Sequence, residues 1–245
     1  YSELRIKSLA FSPDGRLLAS AHHNNTLKLW DVVTGRELHT LEGHIGFRDA
    51  NSVAFSFDGR LLASGSEDNT IRLWDTVSGK ELRTLSGHVN KVNSVVFTPD
   101  GNAIVSAGAD GTVRLWNTAS GQERVSFVTF EGGEWIAITP EGYFEASSPK
   151  AAQHLNVRIG NRVFGADQYY ERFYRPDIVK LALAGKPLTG LTDIASVKPA
   201  PAVAIVDTPA ATSNEQVTVA LKVTDTGGGI GDVRLYLNGT AVVLE

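Results

Sequence analysis

The chain repeats itself, and no other feature constrains its fold as much. Phe11-Ser12-Pro13-Asp14-Gly15 returns as Phe55-Ser56-Phe57-Asp58-Gly59 and as Phe97-Thr98-Pro99-Asp100-Gly101. Each copy leads into an apolar run ending in Ser, then into Leu29-Trp30-Asp31, Leu73-Trp74-Asp75 or Leu115-Trp116-Asn117. The Trp positions lie 44 and then 42 residues apart. A fixed period of this length means one supersecondary unit used several times, because each unit buries its apolar face only against a neighbour.

The second copy shows the unit's content. Ser52-Val53-Ala54-Phe55 reads as the innermost strand, with Asp58-Gly59 as the turn out of it. Arg60 to Ser64 and Thr70 to Trp74 alternate as half-buried strands, separated by a turn at Glu67-Asp68-Asn69. Ser78-Gly79 turns the chain again before Glu81 to Leu85. Four antiparallel strands at a period near forty predict the blades of a β-propeller in an all-β chain. A worn fourth copy begins with Trp135 to Gly142, where Glu141 replaces the turn Asp. Tyr143 to Ser147 and Leu155 to Gly160 take the next two strand places, without the Trp-Asp pair. Residues 1–165 are therefore expected to be propeller blades, three clear and one degenerate from about residue 131.

The pattern then changes. Residues 166–186 read as a short helical segment packed on the propeller, with Pro176 in a first turn and Gly185 as its stop. Residues 187–200 read as a linker, and 201–245 carry three strand-like runs of a partial immunoglobulin-like β-sandwich.

With 23 basic against 27 acidic residues and a net charge of −4, no basic footprint points to nucleic acid. No apolar run approaches the ~20 residues that cross a bilayer, so no membrane partner is expected. The absence of Cys excludes disulfides, thiolate metal sites and a cysteine nucleophile from this segment. It leaves the compartment open, with the cytoplasm favoured. A start at Tyr1 and the absence of Met suggest a piece of a longer protein.

The repeats resemble the WD-repeat family. That resemblance implies two structural networks, His44, Ser64, Asp68 and Trp74, then His88, Ser106, Asp110 and Trp116. In each, the Trp N–H donates to Ser and the His bridges Ser to the carboxylate, satisfying every buried polar atom. The first copy departs from this, since Asn24 replaces the Asp and no Gly-His precedes it. The stretch from Gly133 to about Gly185 resembles the segment that closes the propeller in certain bacterial multidomain proteins. There a sandwich domain and a caspase-like peptidase follow.

Ser, His and Asp together suggest a hydrolase triad. A catalytic set is normally unique, so their return at matched offsets beside a Trp argues for scaffolding. Glu141 is read as a turn residue, and Glu131, Glu134 and Glu145 as solvated, not as paired catalytic carboxylates. His22 and His23 point to opposite faces of a strand and do not share a metal with His44. Gly227 to Gly231, flanked by Asp225 and Asp232, precedes a strand, so it reads as a turn and not as a phosphate cradle. Asn24 and Asn238 begin glycosylation-type triplets taken as coincidental. No catalytic, cofactor or metal residue is assigned.

The expected function is a protein-interaction scaffold or sensor module, with a protein or peptide partner on the propeller rim. Candidate contacts are His23, Phe47, Arg48, Glu67, Asn90 and Lys91. Phe47 beside Arg48 has the composition of an interface hot spot. Self-association to complete the ring is a second expectation. The alternative function is a regulatory or substrate-recruiting fragment of a caspase-like cysteine peptidase, inactive by itself.

Overall fold

The computed structural model describes residues 5–45, 49–159, 162–165, 169–197, 202–207, 220–225, 235–237 and 240–242. Twelve strands build the three repeats. The first sheet holds β1 (Ile6–Phe11), β2 (Leu17–His22), β3 (Leu27–Asp31) and β4 (Glu37–Leu41). The second holds β5 (Ala50–Phe55), β6 (Leu61–Ser66), β7 (Thr70–Asp75) and β8 (Glu81–Ser86). The third begins with β9 (Val92–Phe97), β10 (Ala103–Gly108), β11 (Thr112–Asn117) and β12 (Glu123–Thr129). Each is antiparallel and ordered as in the chain, and β5 lies between β1 and β9 at the inner edge.

The repeated motif is a turn device. Ser12 Oγ donates to Asp14 Oδ1 at 2.6 Å and accepts from Leu17 N–H at 2.9 Å. Ser56 with Asp58 and Thr98 with Asp100 repeat the arrangement. Gly15, Gly59 and Gly101 sit at φ of 70°, 70° and 69°, a backbone state that side chains resist. Register repeats as well: Leu18 faces Trp30, Leu62 faces Trp74, and Ile104 faces Trp116.

Alternation gives each sheet two apolar faces, here called forward (toward the next sheet) and back. Ala19, Ala21, Leu27 and Leu29 on the forward face of blade 1 meet Ala50, Val53, Leu62 and Trp74 on the back face of blade 2. Ala63, Ile71, Leu73 and Leu85 meet Val92, Val95, Ile104 and Trp116 in the same way. Each enclosed indole removes roughly 150–250 Å² from water, about 4–6 kcal/mol before ordering costs. Two joints of one design thus hold three blades together.

The fourth copy does not form a blade of its own. β13 (Trp135–Ile138) and β14 (Phe144–Ala146) extend the third sheet to six strands, with Ser126 opposite Ile138 and Thr129 opposite Trp135. The cause is the link between β12 and β13. Gly132 and Gly133 both lie at φ 82°, and Phe130 N–H donates to Glu134 O at 2.8 Å, which folds the chain back onto β12. β15 (Asn156–Ile159) pairs with β16 (Arg162–Gly165) in a separate hairpin and supplies no third blade strand.

After α1 (Pro149–Ala152) and α2 (Tyr170–Phe173) comes α3 (Pro176–Leu183), which starts at Pro176 and ends before Gly185 at φ 68°. Val179 and Ala182 of α3 pack on Val125 and Ala137, covering the outer part of the forward face of blade 3. On the other side, Ile136, Phe144, Phe173 and Ile178 share a core. Arg175 N–H donates to Phe144 O at 2.9 Å, which holds the strip against edge strand β14. Farther on, β17 (Ala202–Asp207) pairs with β18 (Ala220–Thr224), and β19 (Leu235–Leu237) with β20 (Thr240–Val242), as two separate sheets. Among the described residues no helix is long and apolar enough to cross a membrane.

Gly65 marks how close a joint runs. A Cβ there would lie 2.7 Å from Val92 Cγ1 and 3.1 Å from Val95 Cγ1. Both neighbours are β-branched and stiff, so Gly65→Ala is expected to cost about 1–3 kcal/mol in denaturant unfolding.

Candidate interaction site and the polar network beneath it

At one end of the blades lie the turns between second and third strands and the arms that link one blade to the next. Leu41 leads through Gly43 to His44, and Leu85 through Gly87 to His88. Each arm inserts its His into the blade that follows. His44 Nε2 lies 2.8 Å from Ser64 Oγ and Nδ1 lies 2.9 Å from Asp68 Oδ2, while Trp74 Nε1–H donates to Ser64 Oγ at 2.9 Å. Blade 3 repeats this with His88 to Ser106 at 2.7 Å, His88 to Asp110 at 2.9 Å and Trp116 to Ser106 at 2.8 Å. One proton arrangement fits: Trp donates to Ser, Ser to Nε2, and Nδ1–H to the ionised carboxylate.

The connectivity is that of a hydrolase triad, but its setting forbids that chemistry. Ser64 and Ser106 are fully buried between sheets, and each hydroxyl oxygen is held by an indole N–H, so no substrate reaches it. The carboxylates act as clamps. Thr70 Oγ1 and Ile45 N–H both donate to Asp68, at 2.7 and 3.0 Å, and Thr112 Oγ1 and Val89 N–H to Asp110, at 2.8 and 3.1 Å. Burial works against ionisation of Asp110, but the bonds from His88 and Thr112 outweigh it and hold the carboxyl at about 2. Asp68 is likewise held below the usual carboxylate range, with burial opposed by His44 and Thr70.

In blade 1 the described residues satisfy the indole from within the sheet itself. Trp30 Nε1–H donates to Ser20 Oγ at 2.9 Å, and the second bond of Ser20 goes to His22 Nε2 at 2.9 Å, two residues along its own strand. Asn24 keeps the turn, accepting from Thr26 Oγ1 at 2.6 Å. Among the described residues, buried Nδ1 of His22 has no hydrogen-bond partner.

The predicted rim residues divide. His23 pairs with the buried Asp49 of the next blade, and Lys7 pairs with the same carboxylate. Burial works against the charge of Asp49, and the two bases outweigh it, lowering its pKa. Glu67 meets Lys91 across the second joint at 3.8 Å, with the signs exchanged. Asn90 is exposed beside Lys91. Phe47 and Arg48 lie outside the described residues.

Sequence reasoning passed over three further features. Ile45 and Val89, each one residue after the inserted His, are exposed apolar side chains on backbone amides that the clamp carboxylates hold. A base two residues before each Trp pairs with a Glu on the outer strand: Lys28 with Glu37, Arg72 with Glu81, and Arg114 with Glu123 at 2.6 Å. Ser8 Oγ accepts from Val53 N–H at 3.3 Å and Ser52 Oγ from Val95 N–H at 3.1 Å, joining inner strands of neighbouring blades. The bases and serines recur at matched offsets, which was the available signal. Among the described residues no group of three His, Cys, Asp or Glu is placed to hold a metal.

Residues 2–31, 35–75 and 79–117 match the family model described as WD domain, G-beta repeat. These three segments are WD40 repeats. Over 37 residues, 15% of the chain, it is 54% identical to the probable serine/threonine-protein kinase PkwA of Thermomonospora curvata, covering 5% of that protein. Over 41 residues, 17% of the chain, it is 42% identical to dynein assembly factor with WD repeat domains 1 of Danio rerio, covering 10% of it. The chain thus spans a tenth or less of these curated relatives. A crystal structure of RRP9 WD40 repeats superposes with a TM-score of 0.50 at 23% identity, over 58% of this chain and 47% of that one. At that identity the likeness concerns the fold alone.

The WD40 repeat in blade 1 carries a pH liability. Desolvation, then the charge of Lys28, lowers the pKa of His22 from its ordinary 6.5, with Glu37 opposing. A lowered folded pKa gives stability that is present above about 6.5 and is lost as pH falls below it. The melting temperature is expected to drop between pH 7 and pH 5. His22→Ser, which copies Ser66 of blade 2, should flatten that drop.

Proposed function

We propose that this chain is a protein-interaction scaffold that holds protein or peptide segments at the end of the blades carrying the His arms. The observation that carries the reading is the pair Ile45 and Val89. Both are solvent-facing apolar side chains, and each stands on an amide fixed by a buried carboxylate. The backbone that carries these side chains is already held before binding, so little of its conformational freedom is lost when a partner covers them. His23, Glu67, Asn90 and Lys91, on the turns and arms of the same end of the blades, add polar and charged groups of the kind an interface rim contains. Phe47 and Arg48 belong to the proposed surface by sequence.

Two relatives with such repeats bear names for unrelated tasks, a probable kinase and a dynein assembly factor. That contrast suits a module that holds other molecules and transforms none. Residues 201–245 are read as a second, partial immunoglobulin-like unit, supported by two antiparallel strand pairs. The exposed apolar side chains Ile6, Leu9 and Phe11 of the first sheet support self-association of the chain as well.

Val33 and Val77 provide the control, being exposed apolar side chains at the opposite end of blades 1 and 2. Ile45→Asp with Val89→Asp is expected to weaken partner capture at least tenfold, about 1.4 kcal/mol, at an unchanged melting temperature. Val33→Asp with Val77→Asp should leave capture intact. Equal loss from both pairs, or loss from the second pair only, overturns the reading.

A further inference from the structure

The fourth copy keeps the repeated turn but not the side-chain device that holds it. In the first three copies the turn Asp accepts from a Ser or Thr hydroxyl and from the amide two residues on. Asp14 takes Ser12 and Arg16, Asp58 takes Ser56 and Arg60, and Asp100 takes Thr98 and Asn102. Phe97 pairs with Ile104, seven residues on, whereas Ile138 pairs with Phe144, six residues on, so the fourth turn is shorter. The backbone closes it: Thr139 N–H donates to Tyr143 O at 2.8 Å, and Gly142 N–H to Thr139 O at 2.9 Å. Glu141 stands in the Asp place with a side chain one methylene longer. Among the described residues, Oγ1 of Thr139 and Oε2 of Glu141 are buried and neither has a hydrogen-bond partner. The carboxylate is free of the turn.

Glu141 instead lines a cleft of about 460 Å³ at the end of the blades opposite the His arms. Its walls are the turn after β11, the turn after β13 and the chain that follows α3. Arg124 lines it from β12. A Cβ on Gly185 would lie 2.9 Å from Arg124 Cζ, so the guanidinium rests on bare backbone at the end of α3. Its Nη2–H donates to Asn102 O at 2.8 Å, while its buried Nε–H has no partner among the described residues. Lys186 adds a second, exposed cation. Glu123 also lines the cleft, but Arg114 holds it at 2.6 Å. Among the described residues no ion pair joins Glu141 to Arg124 or Lys186. One anion and two cations therefore share a cleft without neutralising one another.

We propose that this cleft binds an acidic α-amino acid. Its volume falls within the roughly 300–1,000 Å³ of small-molecule sites. A cleft with one negative and two positive groups selects the reverse set, one ammonium and two carboxylates. The ammonium donates to the Glu141 carboxylate, and the ligand's carboxylates accept from Arg124 and Lys186. Such charge-assisted bonds are roughly twice as strong as neutral ones. A neutral amide offers a donor and an acceptor but compensates none of the three charges. A dicarboxylate answers the two cations and leaves Glu141 without a counter-charge. This site is separate from the protein-binding surface proposed for the arm end.

Isothermal titration calorimetry on the full chain tests this, with L-glutamate as probe and glutarate as the same skeleton without the ammonium. L-glutamate is expected to bind, and glutarate to bind at least tenfold more weakly. Glu141→Gln should remove that preference, weakening L-glutamate at least tenfold while glutarate binding holds or improves, at an unchanged melting temperature. Lys186→Gln, at an exposed position, should weaken both ligands. No binding of L-glutamate at millimolar concentration overturns the site. So does equal binding of the two ligands by the wild type, or L-glutamate binding that Glu141→Gln leaves unchanged.

Discussion

A buried indole N–H must find an acceptor, and the rest of this molecule is arranged around that requirement. Trp74 and Trp116 give the two joints their largest side chains, and each brings one donor into a place without water. An unpaired donor there costs about 1–3 kcal/mol. Ser64 and Ser106 accept those protons and thereby need an acceptor for their own, which the inserted His provides. The His in turn needs the carboxylate. Satisfying one atom therefore fixes a strand, a turn and an arm from the neighbouring sheet, and it places Ile45 and Val89 at the surface as a by-product.

Most of the three blades was legible in the sequence because their determinants are local and recur. The turn motif, the alternation and the Trp-centred offsets each specify geometry within a few residues. The fourth copy misled for the same reason. Trp135 to Ala146 carries the alternation and turn chemistry of an inner hairpin, and it does form one. Local pattern does not say which strand the hairpin pairs with. That was decided by Gly132 and Gly133, which return the chain to β12 where the other copies send a Gly-His arm onward.

The site was legible to a different degree. The two polar networks contain the residues that the resemblance to WD repeats implied, whereas His22 was weighed only as a metal ligand. Its role depends on a cross-strand neighbourhood, since Ser20 and Trp30 meet only when β2 and β3 pair. The ion pairs of His23 with Asp49 and of Glu67 with Lys91 were out of reach for a related reason. They cross between blades, and the partners sit about two dozen residues apart with their signs reversed from one joint to the next.

The arms also give the array a polarity in time. Gly43-His44 precedes the sheet that it completes, as does Gly87-His88. On a ribosome each sheet therefore emerges after the group that its interior requires is already outside. Synthesis order and assembly order coincide, and no finished sheet waits for a residue still inside the exit tunnel.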